Sequence, residues 1–165
     1  MNISNPAWES RLAALWKTIN KREDAEFVEA MRQLTAELPA GNADALFELG
    51  AAYDSTGLPK EALGLYEVAL RAGLSGLRRR RARIQMASSL RNLGQPQQAA
   101  DMLVEELRQA TDELTPAVSA FLALALADLG REREALSISL DALSKYLPRY
   151  NSSLARYAKV LHRED

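Results

Sequence analysis

Residues 46–70 read LFELGAAYDSTGLPKEALGLYEVAL. Two later stretches align with them: IQMASSLRNLGQPQQAADMLVEEL at 84–107 and FLALALADLGREREALSISLDAL at 121–143. Each carries a glycine at the same place, Gly57, Gly94 and Gly130, spaced 37 and 36 residues apart. Five residues after each glycine stands an alanine: Ala62, Ala99 and Ala135. Small residues recur where two paired helices would come closest, at Gly50, Ala87 and Ala123. Leu49, Met86 and Leu122 precede them, and Tyr53, Leu90 and Leu126 follow three residues later. A period of this length marks stacked helical hairpins, none of which buries its apolar face alone.

The helix signals fit three hairpins. Asn42 is placed to cap the first helix of the first hairpin, and Pro59 suits the opening turn of its second. Ser75 is a cap for the next helix, which runs to Gly94, and Pro96 starts its partner. Thr115-Pro116 reads as a cap followed by proline at the first helical position, and Gly130 as a left-handed stop. Two helices precede the repeats. Asn5-Pro6 opens the first, whose stripe is Trp8, Leu12, Leu15, Trp16 and Ile19. Asn20 and Glu23 have capping-box spacing for the second, whose stripe is Phe27, Met31 and Leu34. Leu38-Pro39-Ala40-Gly41 breaks the chain before the repeats. After Leu147-Pro148, Tyr150, Leu154, Tyr157 and Leu161 mark a last amphipathic helix. The expected organisation is therefore a helical pair over 1–40, three hairpins over 41–147 and a capping helix over 148–165, folded as one cooperative domain. Helical arrays need covered ends, so the outer helices read as caps, with the N-terminal pair also a candidate dimer arm.

The repeats resemble the tetratricopeptide repeat, whose pattern is Trp-x2-Leu-Gly-x2-Tyr, then Ala-x3-Phe, then Pro, over 34 residues. The first copy matches best, with Leu49-Gly50, Tyr53, Ala62, Tyr66 and Ala69, and with Leu46 where Trp is usual. The second keeps Leu90, Gly94, Ala99 and Leu103 but has Glu106 for a small residue; the third has Ser139 where an aromatic is expected. The order of parts, from the Trp-bearing helix through Phe27, Val28, Met31 and Arg32 to the final LPRY, is similar to a small bacterial family of three-repeat tetratricopeptide proteins. That resemblance implies an all-α solenoid acting as an interaction module, dimeric, without an assigned reaction.

At 165 residues, 47% apolar and 26% charged, the chain has the composition of a soluble domain. It has no cysteine, which excludes disulfides and thiolate metal sites. Its start is no signal peptide, and no run approaches the ~20 apolar residues of a membrane span. A cytoplasmic protein is expected. Charge is uneven. Val68 to Ala100 holds no Asp or Glu but seven Arg, at 71, 78, 79, 80, 81, 83 and 91; the chain nets −1, so the rest sums to −8.

No catalytic constellation is visible, and no enzyme is expected. His162, the one histidine, stands near Glu164 and Asp165 at the end of the chain and reads as surface rather than as a metal site. Ser75, Ser88 and Ser89 lack an activating His, and no Gly-x-Ser-x-Gly elbow exists. Gly73 and Gly76 form no phosphate loop. The pairs Glu23-Asp24, Glu105-Glu106 and Asp112-Glu113 are adjacent, so on a helix they diverge by about 100°. No cofactor or metal is expected.

What remains is binding. The resemblance implies that the first helix of each hairpin lines a concave groove. The groove side of the middle helix then carries Arg81, Gln85, Ser88, Arg91 and Asn92. Phe47, Ala51 and Asp54 flank it on one side, and Phe121, Leu124 and Asp128 on the other. Arginine in the first turn of a helix opposes the macrodipole, by about 0.3–1 kcal/mol per charge at most, so an offsetting role is expected. The helix Ala117–Leu129 is apolar almost all round; such a helix is normally buried on every side, and otherwise Phe121 and Leu124 form an apolar wall. The carboxylate clamp known in this repeat class needs Lys and Asn where this chain has Phe47, Ala51, Gln85, Ala117 and Phe121, so a chaperone-tail adaptor is not expected. The favoured partner is a protein or peptide segment with acidic groups. The alternatives are a homodimer whose groove holds its own partner chain, or nucleic acid on the arginines. The acid-free stretch has no aromatic residue to stack on bases, which counts against nucleic acid.

Overall fold

The computed structural model describes residues 5–161. Among them every regular element is helical: α1 (Pro6–Trp16), a 3-10 turn (Ile19–Lys21), α2 (Asp24–Thr35), α3 (Ala43–Ser55), α4 (Pro59–Arg71), α5 (Gly76–Asn92), α6 (Pro96–Gln109), α7 (Thr115–Asp128), α8 (Glu132–Ser144) and α9 (Asn151–Leu161). The chain forms two compact units, Met1–Ser89 and Leu90–Asp165, with the division inside α5. His162, Glu164 and Asp165 lie outside the described residues.

The three aligned glycines build one turn three times. The N–H groups of Leu58, Gln95 and Arg131 each donate to the carbonyl five residues back, on Tyr53, Leu90 and Leu126, at 2.9 Å. Gly57, Gly94 and Gly130 sit inside these loops with φ of 80°, 77° and 73°. This is the left-handed helix stop, where a Cβ would be strained. Leu58, Gln95 and Arg131 then accept from the N–H of Ala62, Ala99 and Ala135, at 3.1, 3.2 and 3.0 Å, which opens the next helix. The glycine-to-alanine spacing is therefore the length of one stop plus one start.

Asn5 and Asn42 cap α1 and α3 through their side chains, accepting from Ala7 N and Ala45 N at 3.0 Å. Pro59 and Pro96 open α4 and α6. Ser75 directly precedes α5, which ends at Asn92. Two expected caps are corrected. Asn20 lies within the 3-10 turn, and α2 starts later, with Glu23 at its cap position and no side-chain cap bond. Thr115 is itself the first residue of α7; its hydroxyl accepts from Asp112 N at 2.8 Å and closes the preceding turn.

In the first unit α3 packs on α4 and α2 on α3. Gly50 allows the first contact: a Cβ there would lie 2.9 Å from Tyr66 Cε1 and 3.2 Å from Leu65 Cβ. Trp8, Leu12, Phe27, Met31 and Leu34 form a buried cluster with Ala52. Trp8 Nε1 donates to Leu34 O at 2.9 Å. Beside this cluster lies Glu48, 1% exposed. Its carboxylate accepts from Trp16 Nε1 at 2.9 Å and from Arg78 Nε at 2.9 Å. The same guanidinium donates twice to Glu9, at 2.9 and 2.7 Å, and Asp44 lies 3.8 Å away. One arginine of α5 thus ties α1 to α3. In the second unit α6 packs on α7, α7 on α8 and α8 on α9. Ser137 Oγ donates to Ala158 O at 2.7 Å, and Arg133 Nε to Leu161 O at 3.0 Å, which sets the end of α9 beside the start of α8.

Gly50→Ala should destabilise the protein by about 1–3 kcal/mol, because the new methyl overlaps the Tyr66 ring. Gly64, in the interior of α4, has nothing within 4 Å of an added Cβ, so Gly64→Ala should gain about 0.5–1 kcal/mol from helix propensity. Urea titrations of the two variants read both signs. Arg78→Met leaves the Glu48 carboxylate buried with one donor fewer and should cost about 3 kcal/mol or more. Glu48→Met combined with Arg78→Met should cost less than Arg78→Met alone, in the same titration.

Candidate functional site

The residues expected to line a groove fall on two faces, one in each unit. In the first unit Phe47 is a floor rather than a wall: it is fully buried, against Tyr66 with ring centroids 5.9 Å apart. A partner does not reach it. Above it lies the Arg81 guanidinium, exposed, with Cζ 5.1 Å from the ring centroid. A cation over an aromatic face is held in place by the ring quadrupole. Arg81 receives no carboxylate from the described residues.

Polar groups gather nearby in the same unit. Asp54 is half-buried and accepts from Ser89 Oγ at 2.8 Å. Burial pushes its carboxyl above the usual range, and the Ser89 hydrogen bond draws it partly back. The Tyr66 hydroxyl is enclosed without a protein partner, as is Oε1 of the half-buried Gln85. Burial raises the Tyr66 phenol, and the Asp54 charge adds to the rise. Ser88, the expected hydroxyl, is half-buried, but the one that meets Asp54 is Ser89. Ser89 interrupts the buried run Met86, Ala87 and Leu90; a hydroxyl on that side of the helix was the missed signal.

The second unit's face centres on α7. Its buried side is Val118, Leu122, Ala125 and Leu126. The helix is not covered all round, as an apolar helix would normally be: Ala120, Leu124 and Ala127 are exposed and Phe121 is half-buried, one stripe at helical spacing. At its end Asp128 accepts from Arg91 Nε at 2.5 Å. Arg91 is therefore already paired, while Asn92 beside it is exposed.

The seven arginines thus divide by role. Arg78 serves the buried Glu48, Arg91 pairs with Asp128, and Arg71 lies 3.8 Å from Glu67. Arg79, Arg80 and Arg83 also have interaction partners. Arg81 has an aromatic support and no acid among the described residues. No cluster of three or more potential metal ligands occurs among the described residues, and no helix there is long and apolar enough to cross a membrane.

Comparison with known proteins agrees with the repeat. The family model for the Tetratrico peptide repeat matches residues 43–161. Two solved structures of nearly identical TPR-like repeats, ascribed to a putative kinesin light chain of Podosopora anserina, share the fold. The first, a point variant, aligns over 94% of this chain and 94% of its own, with a TM-score of 0.68 and 18% identity. The other covers 94% and 95%, with a TM-score of 0.67 and 18% identity. No curated protein matches the chain. With its matched stretch spanning all three hairpins and α9, the chain belongs to the tetratricopeptide-repeat family.

Proposed function

We propose that this protein is a non-enzymatic, cytoplasmic interaction module that holds an acidic segment of another protein at Arg81. Repeats of this family generally mediate protein–protein contacts. The observation that carries the reading is the exposed Arg81 guanidinium lying on Phe47 with no carboxylate partner among the described residues. An incoming carboxylate meets a planar donor already oriented, so a bidentate pair forms with little ordering cost. Asp54, half-buried, offers an acceptor for the segment's amides. The second unit has an apolar face of its own at Phe121 and Leu124, ending at the Arg91–Asp128 pair. The segments 1–40, 41–147 and 148–165 are proposed to unfold together, since α5 runs through the division between the two units.

Nucleic acid is the poorer reading. Phosphate binding scales with the number of free cations along a surface. Here most of the arginine run is already engaged within the chain.

Arg81→Glu should abolish capture of specific protein partners from native lysate while leaving the melting temperature unchanged. Arg131→Glu with Arg133→Glu should leave the captured set intact. An Arg81→Glu protein that keeps the same partners, or that unfolds, contradicts the assignment. Salt-sensitive binding of random-sequence RNA that is lost on Arg81→Glu supports nucleic acid instead. Arg91→Glu should lower stability, since it places an acid beside Asp128, but by no more than about 1 kcal/mol for a partly exposed pair.

A further inference from the structure

The second unit carries an apolar surface on α8 and α9. A helix facing solvent ordinarily keeps its outer face polar. Instead Leu136, Leu143, Tyr146, Tyr150, Tyr157 and Val160 are each half or more exposed, Tyr150 most of all at 77%. They are not scattered. Leu136 and Leu143 share one face of α8 with Glu132, at i, i+4 and i+11. Tyr157 and Val160 share the outer face of α9 with Arg156, whose guanidinium rides 5.3 Å from the Tyr157 centroid. The inner side of α9 is spent on α8, through the buried Ala158 and the bonds from Ser137 and Arg133. By contrast, the tryptophans and the apolar stripes of α1 and α2 are taken up within the first unit.

We propose that the α8–α9 face is a two-fold interface that binds a second copy of this chain. Charge placement distinguishes a second copy from other occupants. Most ions of α8 are satisfied at home: Glu134 pairs with Arg131, and Asp141 lies 3.6 Å from Lys145. Glu132 and Arg149 have no partner among the described residues. They stand at opposite ends of the face. Glu132 opens α8, while Arg149 lies in the link between α8 and α9, about 20 Å further along at 1.5 Å per helical residue. That distance forbids a pair within one chain. A two-fold axis through the middle of the face brings Glu132 of each copy to Arg149 of the other, because in such an interface the contact of i with j is repeated as j with i. The tyrosines then meet at the centre, where aromatic and arginine side chains contribute most.

The size is adequate but not large. Three tyrosines of about 150–250 Å² each, about two-thirds exposed, with the Leu and Val side chains, offer roughly 500 Å² per copy, near the lower bound for a specific pair. The dimer is therefore concentration-dependent. This surface is separate from Arg81, so the fate of either proposal leaves the other standing.

Analytical ultracentrifugation of the full chain across micromolar to several hundred micromolar concentrations tests it. The wild type should move from monomer to dimer mass and stop there. Glu132→Arg and Arg149→Glu should each raise the dissociation constant by about tenfold or more, two pairs being lost per dimer. The two reversals combined should return it to near the wild-type value, and Leu143→Asp should leave a monomer. All four variants are expected to keep the wild-type circular dichroism spectrum and melting temperature, since the side chains are exposed or lie outside the core. A monomer throughout, mass growing beyond a dimer, or a double reversal as weak as the single ones overturns the two-fold interface.

Discussion

A carboxylate that is almost completely buried sets the terms for the first unit. Glu48 sits in α3 among apolar neighbours, where an unpaired charge costs several kcal/mol. It is acceptable only because Trp16 and Arg78 both donate to it. Those donors come from α1 and α5, on either side of α3 in sequence. Satisfying one acid therefore fixes where three helices meet. Glu9 enlarges the arrangement by taking the other two nitrogens of Arg78. The arginine-rich start of α5, mildly unfavourable against the helix dipole, is explained at Arg78 by this demand.

The repeat is held by a simpler constraint. Each hairpin needs a stop, one left-handed residue and a restart, and each must bring two helices close. Glycine in the left-handed position and small residues at the crossing meet both needs. These features are local in the chain, so Gly57, Gly94 and Gly130 with their alanines were legible without coordinates. Pro59, Pro96 and the Asn42 cap were legible for the same reason. The N-terminal stripe of Trp8, Leu12, Phe27 and Met31 also followed from helical spacing, and it is the core of the first unit.

Apart from Arg91 and Asp128, which spacing put side by side and which do pair, contacts between residues distant in sequence were not legible. Nothing in the run GLRRRRARIQ distinguishes Arg78, which meets Glu9 and Glu48, from Arg81, which meets an aromatic ring. Spacing put Phe47 on a groove wall, but packing against Tyr66 buried it. Spacing also chose Ser88 over Ser89, although the buried side of the helix holds the hydroxyl that reaches Asp54. Asn20 lost its capping role because a 3-10 turn intervenes before α2. In each case the deciding atom belongs to an element that sequence spacing alone does not place.

The proposed function depends on one arginine run having two kinds of member, those engaged within the chain and Arg81, which lies exposed on an aromatic ring. Hydrogen exchange of the arginine Nε–H groups, read by nitrogen-15 NMR, tests it directly. Arg78 Nε–H, bonded to a carboxylate that is 1% exposed, should be visible and slow to exchange. Arg81 Nε–H, exposed above the Phe47 ring, should exchange fast. Equal protection at the two sites, or slow exchange at Arg81 with fast exchange at Arg78, would contradict the division of roles on which both the fold and the proposed function rest.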